Sequence, residues 1–160
     1  VCKDNFFEFS DFEINEYLDQ KKISYTINTL KYFKKMTGST LLFILGTDAF
    51  STINFWYKWN EILSYCHLVL IERGSEKSDI GKMSAEVQEF FKDNIANDIN
   101  ELKKIDHGKI YPIPMSVFRE SSSEIRDRSM KNLDIKKFLP KTIQDYIKNH
   151  GLYKLPGHNK

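Results

Sequence analysis

LLFILGTDAF, residues 41–50, decides the fold class. Leu41 to Leu45 run without a polar break and leave no face for water, the pattern of a strand covered on both sides, as in a parallel sheet. Gly46 stops the run, and a helical pattern resumes across DAFSTINFWYKWNEILSY, residues 48–65. A buried strand that turns at a glycine into a helix begins a β-α-β alternation, and the rest of the chain continues it. HLVLIERG (67–74) reads as a second buried strand and KIYPIPM (109–115) as a short third. Between them, residues 84–105 place Val87, Phe90, Phe91, Ile95 and Ile99 at helical intervals. Upstream, SYTINTLKYFKKMTG (24–38) sets Ile27, Leu30, Tyr32 and Phe33 near helical spacing. It opens on hydroxyl residues able to cap free amides and ends at Gly38. SSSEIRDRSMKN (121–132) and KTIQDYIKNHGLY (141–153) read as two closing helices, the second framed by Pro140 and Gly151. FFEFSDFEI (6–14) alternates at period two and is expected to be a strand with an irregular exit, with Phe7, Phe9 and Phe12 available for one buried face. The class is α/β with a mainly parallel sheet. Residues 154–160, KLPGHNK, have nothing to bury and are expected to form a flexible tail behind a single domain over 1–153.

Bulk properties exclude several functions. Lys and Arg number 24 against 22 Asp and Glu, a net charge of +2. The two signs are interspersed, as in DFEINEYLDQKK (11–22) and ELKKIDHGK (101–109), so no polyanion-binding surface for nucleic acid is indicated. Cys2 and Cys66 stand in no ligand or disulfide spacing, which makes a reduced, cytoplasmic setting the default. The longest apolar runs are far too short to cross a bilayer, so no membrane partner is expected. Whether the protein is a homo-oligomer is left open by the sequence.

Three places could carry chemistry. Gly46, Thr47 and Asp48 follow a buried strand and precede a helix. Ligands of open parallel sheets sit at that end of the strands, where glycine admits close approach and a carboxylate can hold ribose hydroxyls. The same residues equally serve as a plain turn with Asp48 capping the next helix. Ser121, Ser122 and Ser123 open a helix with Arg126 one turn on; hydroxyls, free amides and the helix dipole favour an anion that the guanidinium can grip. An ordinary capping box from Ser121 to Glu124 accounts for that pattern as well. Phe55, Trp56, Tyr57 and Trp59 cannot all face one core, because helical neighbours diverge by about 100° per step, so at least one ring is available to stack on a flat ligand. Trp56 is as readily a core or rim residue. Of the histidines, His67 begins an apolar strand, His107 lies in a polar turn, His150 at a helix end and His158 in the tail. No pair has metal-ligand spacing, and no protein metal site, nucleophile elbow or Walker loop is present in the sequence.

Taken in order, SYTINTL (24–30), FILGTDAF (43–50), FWYKWNEIL (55–63), HLVLIERG, HGKIY (107–111), SSSEIRDR (121–128), FLP (138–140) and YIKNHGLY (146–153) resemble the nicotinate-nucleotide adenylyltransferase family of the nucleotidyltransferase superfamily. The resemblance covers almost the whole chain. It implies a Rossmann-like sheet and the transfer of an adenylyl group from ATP to nicotinate mononucleotide, giving deamido-NAD and pyrophosphate in NAD biosynthesis. It also implies that Gly46 and Asp48 hold the ATP ribose region, and that Ser122, Ser123 and Arg126 bind the triphosphate. On the same resemblance Thr26, with the backbone around Trp56 and Tyr57, would receive nicotinate mononucleotide, its ring lying against Trp56. Arg73 is a weaker candidate to face the nucleotide. Mg2+ would accompany the ATP phosphates.

The chain departs from the family at Glu120, where an apolar residue is usual, and at Ser123, where threonine is usual. The family's opening strand, glycine-rich loop and His-x-Gly-His motif have no counterpart here, so no catalytic residue is assigned within these residues. The first two strands of the family fold are apparently missing, the chain alone is expected to be inactive, and the biological protein is expected to be longer at its amino end. Two alternatives are a catalytically silent nucleotide-binding regulatory module and another adenylyltransferase of the superfamily; FWYKW and the terminal YIKNHGLY argue against the latter.

Overall fold

HLVLIER lies at the centre of the described sheet, with Leu68 and Leu70 fully buried. The computed structural model describes residues 8–15, 23–73, 80–115 and 121–153. They belong to two compact units, 1–116 and 117–160.

In the first unit three strands pair in parallel: β1 (Leu42–Gly46), β2 (His67–Arg73) and β3 (Ile110–Met115), in that order across the sheet. Leu42 is in register with His67 and Gly46 with Ile71, while Leu68 faces Ile110. Parallel neighbours need crossovers, and the intervening helices supply them. Helix α1 (Thr26–Thr37) precedes β1 and buries Ile27 and Leu30. It stops at Gly38, whose φ of 62° lets its amide turn back to the Lys34 carbonyl. Helix α2 (Thr47–Phe50) follows β1, and α3 (Ala85–Asn94) and α4 (Ile99–Leu102) lie between β2 and β3. The core gathers Ile27, Leu30, Leu45, Phe50, Ile53, Ile62, Leu68, Leu70, Val87 and Ile110.

Four sequence expectations are corrected. Residues 12–15 are a helical turn, not the end of a strand, and residues 1–7 lie outside the described part. Ser10 and Asp11 start the turn: Phe12 N–H donates to Ser10 Oγ at 3.3 Å and Asn15 N–H to the Asp11 carbonyl at 2.9 Å. Phe12 then stacks on Tyr32 at 3.9 Å, so its burial comes from α1 and not from a sheet face. Second, residues 48–65 are not one helix. After α2 come two 3-10 stretches, Ile53–Phe55 and Trp59–Ser64, divided by Lys58 at φ 53°, a left-handed conformation that breaks helical propagation. Third, 84–105 is interrupted between α3 and α4, where Ile95 bridges to Ile110 at the sheet; Asp98 and Glu101 then form a reciprocal capping box that restarts the helix. Fourth, β1 is not covered on both faces among the described residues: Leu42 is 55% and Ile44 64% exposed, and the strand is at the edge of the described sheet. An apolar run reports that a strand can be covered, not what covers it.

The second unit holds α5 (Ser122–Met130) and α6 (Lys141–Asn149). Pro140 precedes α6, and Gly151 at φ 61° follows it, as their residue types dictate. Ile147 is buried, and a cavity of about 880 Å³ lies between the end of α5 and α6, lined by Leu133, Ile135, Ile147 and Leu152. The expected tail over 154–160 lies outside the described residues. Among the described residues no helix is long and apolar enough to cross a membrane.

Candidate functional site

The carboxyl end of β1 is held from beneath. Leu45 points into the core, Gly46 ends the strand, and four residues later Phe50 is fully buried, so the turn between them has little freedom. Gly46 is the residue before α2, and no side chain caps that helix; Asp48 is in its first turn and does not act as its cap. The Asp48 carboxylate folds back over Gly46, and a Cβ there would overlap Asp48 Oδ1. A Cβ on Gly46 would meet only the end of this exposed side chain, which can turn aside, and the backbone does not call for glycine either, since its φ is −77°. Asp48 is exposed, and among the described residues its carboxylate oxygens take no hydrogen bond or ion pair. An acceptor pair is thereby presented at the tip of a parallel strand, the position such sheets use for ligands.

Beside it lies the aromatic segment. Phe43 of β1 meets Trp56 edge-on with ring centroids 6.4 Å apart, so the indole is half-buried with one side against the strand. Trp59 turns inward onto Phe90 at 4.9 Å, whereas Phe55 is 83% exposed. Tyr57 is exposed and leans on Tyr25 at 4.5 Å. The divergence of neighbouring rings expected from the sequence is therefore present, although the backbone that produces it is a turn and not a continuous helix.

Tyr25 stands at the start of α1, immediately before Thr26, and no side chain caps that start. The hydroxyl residues there were expected to cap it. Instead Ser24 Oγ is buried with no hydrogen-bond partner among the described residues. A buried hydroxyl without a partner is costly, and this one lies within two residues of Thr26. Sequence reading passed over Ser24 because serine before a helix ordinarily signals a cap. Thr26 itself is half-buried in the first turn.

In the second unit, Ser121 Oγ accepts from Glu124 N–H at 3.1 Å, the cap expected of it. Ser122, Ser123 and Arg126 are all exposed, and Arg126 Nη2 donates to Ser123 Oγ at 3.3 Å. The other cations of α5 and its exit are committed within the unit. Arg128 Nε donates to the Asp134 carbonyl at 3.0 Å with its guanidinium 5.0 Å over Phe138, and Lys131 pairs with Asp127 at 2.8 Å. Among the described residues Arg126 has only the neutral serine hydroxyl. None of these candidates lines the cavity of the unit.

The remaining reactive types are structural. His67 is fully buried: Nδ1 accepts from Lys109 N–H at 3.1 Å and Nε2 donates to the Ile105 carbonyl at 3.0 Å, the neutral tautomer that satisfies both nitrogens. His107 Nδ1 is 3.1 Å from the Leu63 carbonyl, and His150 stacks on Tyr146 at 4.0 Å. Burial pushes the Cys66 thiol up to about 12, far from a reactive thiolate. Among the described residues no group of three or more His, Cys, Asp or Glu could hold a metal ion. The Arg73 backbone ends β2, and its side chain lies outside the described part.

Comparison with known proteins gives the family of the chain. The sequence profile of the Cytidylyltransferase-like family matches residues 1–128. A probable nicotinate-nucleotide adenylyltransferase of Pectobacterium atrosepticum is 31% identical over 138 residues, covering 85% of this chain and 64% of the relative. One from Buchnera aphidicola subsp. Schizaphis graminum is 33% identical over 147 residues, covering 89% and 66%. The chain thus spans just under two thirds of the length of these curated relatives. A solved structure, the Plasmodium falciparum nicotinic acid mononucleotide adenylyltransferase complexed with NaAD, shares the fold with a TM-score of 0.55 at 24% identity, over 82% of this chain and 58% of the other.

Proposed function

This chain belongs to the Cytidylyltransferase-like family, and from that premise we propose that it lies on the nicotinate-nucleotide adenylyltransferase branch and binds ATP and nicotinate mononucleotide for adenylyl transfer. In the reaction the 5′-phosphate oxygen of nicotinate mononucleotide forms a bond to the α-phosphorus of ATP, the bond to the bridging oxygen breaks, and pyrophosphate leaves with its electron pair. Deamido-NAD is the other product. Magnesium enters with the triphosphate as part of the substrate.

The observation that carries the reading is the tip of β1, where the exposed Asp48 carboxylate, without a hydrogen bond or ion pair among the described residues, folds over Gly46. Its two oxygens suit the 2′ and 3′ hydroxyls of a ribose. Ser122 and Ser123 supply hydroxyls at the start of α5, and Arg126 supplies the charge for the triphosphate. Thr26 and the amides of the Trp56–Tyr57 turn suit the nicotinate carboxylate, and the half-buried indole offers a face to the pyridine ring. None of the chain's four histidines stands in a His-x-Gly-His arrangement, so binding and orientation are assigned to these residues and no proton or charge-stabilising step is. Orientation is itself a large part of a displacement at phosphorus.

A coupled pyrophosphate assay on the complete protein, offered ATP with either nicotinate or nicotinamide mononucleotide, tests the proposal. Release with the nicotinate nucleotide is expected. ATP binding without release favours the silent nucleotide-binding module, and release with only an unrelated phosphate acceptor favours another adenylyltransferase of the superfamily.

A further inference from the structure

Two lysines share one carboxylate on the first unit, at the place where the backbone is least comfortable. Glu61 Oε1 accepts from Lys58 Nζ at 3.1 Å, and Glu61 Oε2 accepts from Lys31 Nζ at 3.2 Å. We propose that Glu61 is a positioning residue: by engaging Lys58 and Lys31 at once it ties the Trp56–Trp59 turn to α1 and fixes the aromatic face offered to the nicotinate ring.

The turn gives the first argument. Lys58 adopts φ 53° and ψ 38°, a conformation that L side chains resist and that glycine or asparagine would fill more easily. Such conformations persist where surrounding contacts over-determine them, and they concentrate at binding sites. Here the contacts are visible. Trp59 N–H donates to the Trp56 carbonyl at 3.2 Å and Glu61 N–H to the Lys58 carbonyl at 2.9 Å, while the Lys58 ammonium sits 5.8 Å from the Tyr57 ring. The left-handed residue is what turns Tyr57 outward and Trp59 inward.

The second argument is connectivity. Lys31 belongs to α1, the helix that begins with Thr26, and its ammonium also lies 5.2 Å over Tyr65. Tyr57 rests on Tyr25 at the start of the same helix. Glu61 therefore couples the two elements that carry Thr26, Trp56 and Tyr57, although it is itself among none of them. Hydrogen bonds from Lys58 and Lys31 hold the Glu61 carboxyl below its ordinary value, and the bond to Glu61 raises the Lys31 ammonium.

The third argument is energetic. All three side chains are partly exposed, and surface ion pairs contribute little to folding. Their removal should leave the fold intact and release the turn. A shift of the aromatic face by even an ångström can cost a large factor in a reaction that depends on alignment.

The inference rests on the reading of Trp56 and Tyr57 as the nicotinate seat. Its test uses the complete protein and the variants Glu61→Gln, Glu61→Asp and Lys58→Gly. The last removes the ammonium while giving the backbone a residue free to adopt positive φ. The measurements are the KM for nicotinate mononucleotide, the KM for ATP, and the quenching of tryptophan emission by nicotinate mononucleotide. Glu61→Gln is expected to raise the nicotinate mononucleotide KM by about tenfold with the ATP KM unchanged, and Glu61→Asp to recover part of the loss. Lys58→Gly, which carries the same comparison should Glu61→Gln fail to fold, is expected to weaken quenching in the same direction. A wild type that responds to nicotinate mononucleotide, with Glu61→Gln indistinguishable from it or with both KM values raised together, overturns the inference alone. A wild type that neither turns over nor is quenched overturns the functional reading and this inference with it.

Discussion

The tip of β1 and the start of α5 offer the same kind of group, a charged side chain beside small residues at the mouth of a helix, yet they are held in opposite ways. Asp48 rides on a turn whose next landmark, Phe50, is fully buried. Arg126 rides on a helix with no buried residue, ordered by its Ser121 cap and its own surface pairs. The core fixes the first before any ligand arrives. The second is positioned locally, and its guanidinium, engaged only with Ser123, retains rotamer freedom that a bound anion would have to remove. Loss of a supporting residue should therefore damage stability in the first region and ligand affinity in the second.

The largest effect expected from this difference is that of Phe50→Ala. The ring touches Phe90 and Phe91 with centroids 6.4 and 6.1 Å away, and its truncation leaves a cavity at the heart of the first unit. A destabilisation of about 3–5 kcal/mol is expected, read as a fall in the denaturant midpoint. If the midpoint hardly moves, the turn under Asp48 is not core-held and the comparison fails at its root.

This contrast also explains how much was visible in the amino-acid sequence. The three parallel strands were legible because LLFIL, HLVLI and KIYPIPM are apolar runs between punctuation that local chemistry enforces, such as Gly46 and Gly38. The family resemblance was carried by motifs spread along the chain, which no single turn could obscure. What failed was local continuity. Residues 48–65 contain good helical periodicity, but the helix breaks at Lys58, and the contact that joins this turn to α1 comes from Lys31, 30 positions from Glu61. Ser24 reads as a cap because residue type announces capacity and not partner; among the described residues its hydroxyl has none. FFEFSDFEI alternated like a strand, yet Phe12 found its apolar neighbour on α1. Short periodic patterns state which side chains want burial, and tertiary contacts choose the backbone that delivers it.

Second in size is Arg126→Ala in the complete protein. A charge-assisted contact of about 1.5–3 kcal/mol corresponds to roughly 10- to 100-fold weaker ATP binding by titration calorimetry. The melting temperature should not move, because the side chain supports nothing buried. Combined with Asp48→Asn in a double-mutant cycle, a coupling beyond additivity would show that both residues act on one bound ATP. A fall in melting temperature for Arg126→Ala would contradict the description of α5 as locally held.

His67→Leu sharpens the account of the core-held region. The substitution removes the acceptor for Lys109 N–H and the donor for the Ile105 carbonyl, leaving two backbone groups of the 105–109 connection without their partners. About 1–3 kcal/mol of destabilisation is expected, with ATP affinity little changed. His67→Leu with wild-type stability would mean that the connection satisfies itself by other means.

The smallest effect is the most diagnostic of how the aromatic turn is held. The Glu61 carboxyl is lowered from 4.5 in the folded state, mainly by its hydrogen bond from Lys58 and then by that from Lys31. Its contribution is therefore complete above the unfolded value and lost as pH falls through the lower folded one. Lys31 is raised from 10.5 by Glu61, so its share is complete below that value and lost as pH rises through the folded one. Between about pH 5 and 10 neither group changes charge, and the difference in melting temperature between wild type and Glu61→Gln should be flat. Below the unfolded carboxylate value that difference should shrink, since the wild-type residue is then itself losing its charge. A difference that varies within the flat window would assign the turn to some other titrating group and remove Glu61 from its role.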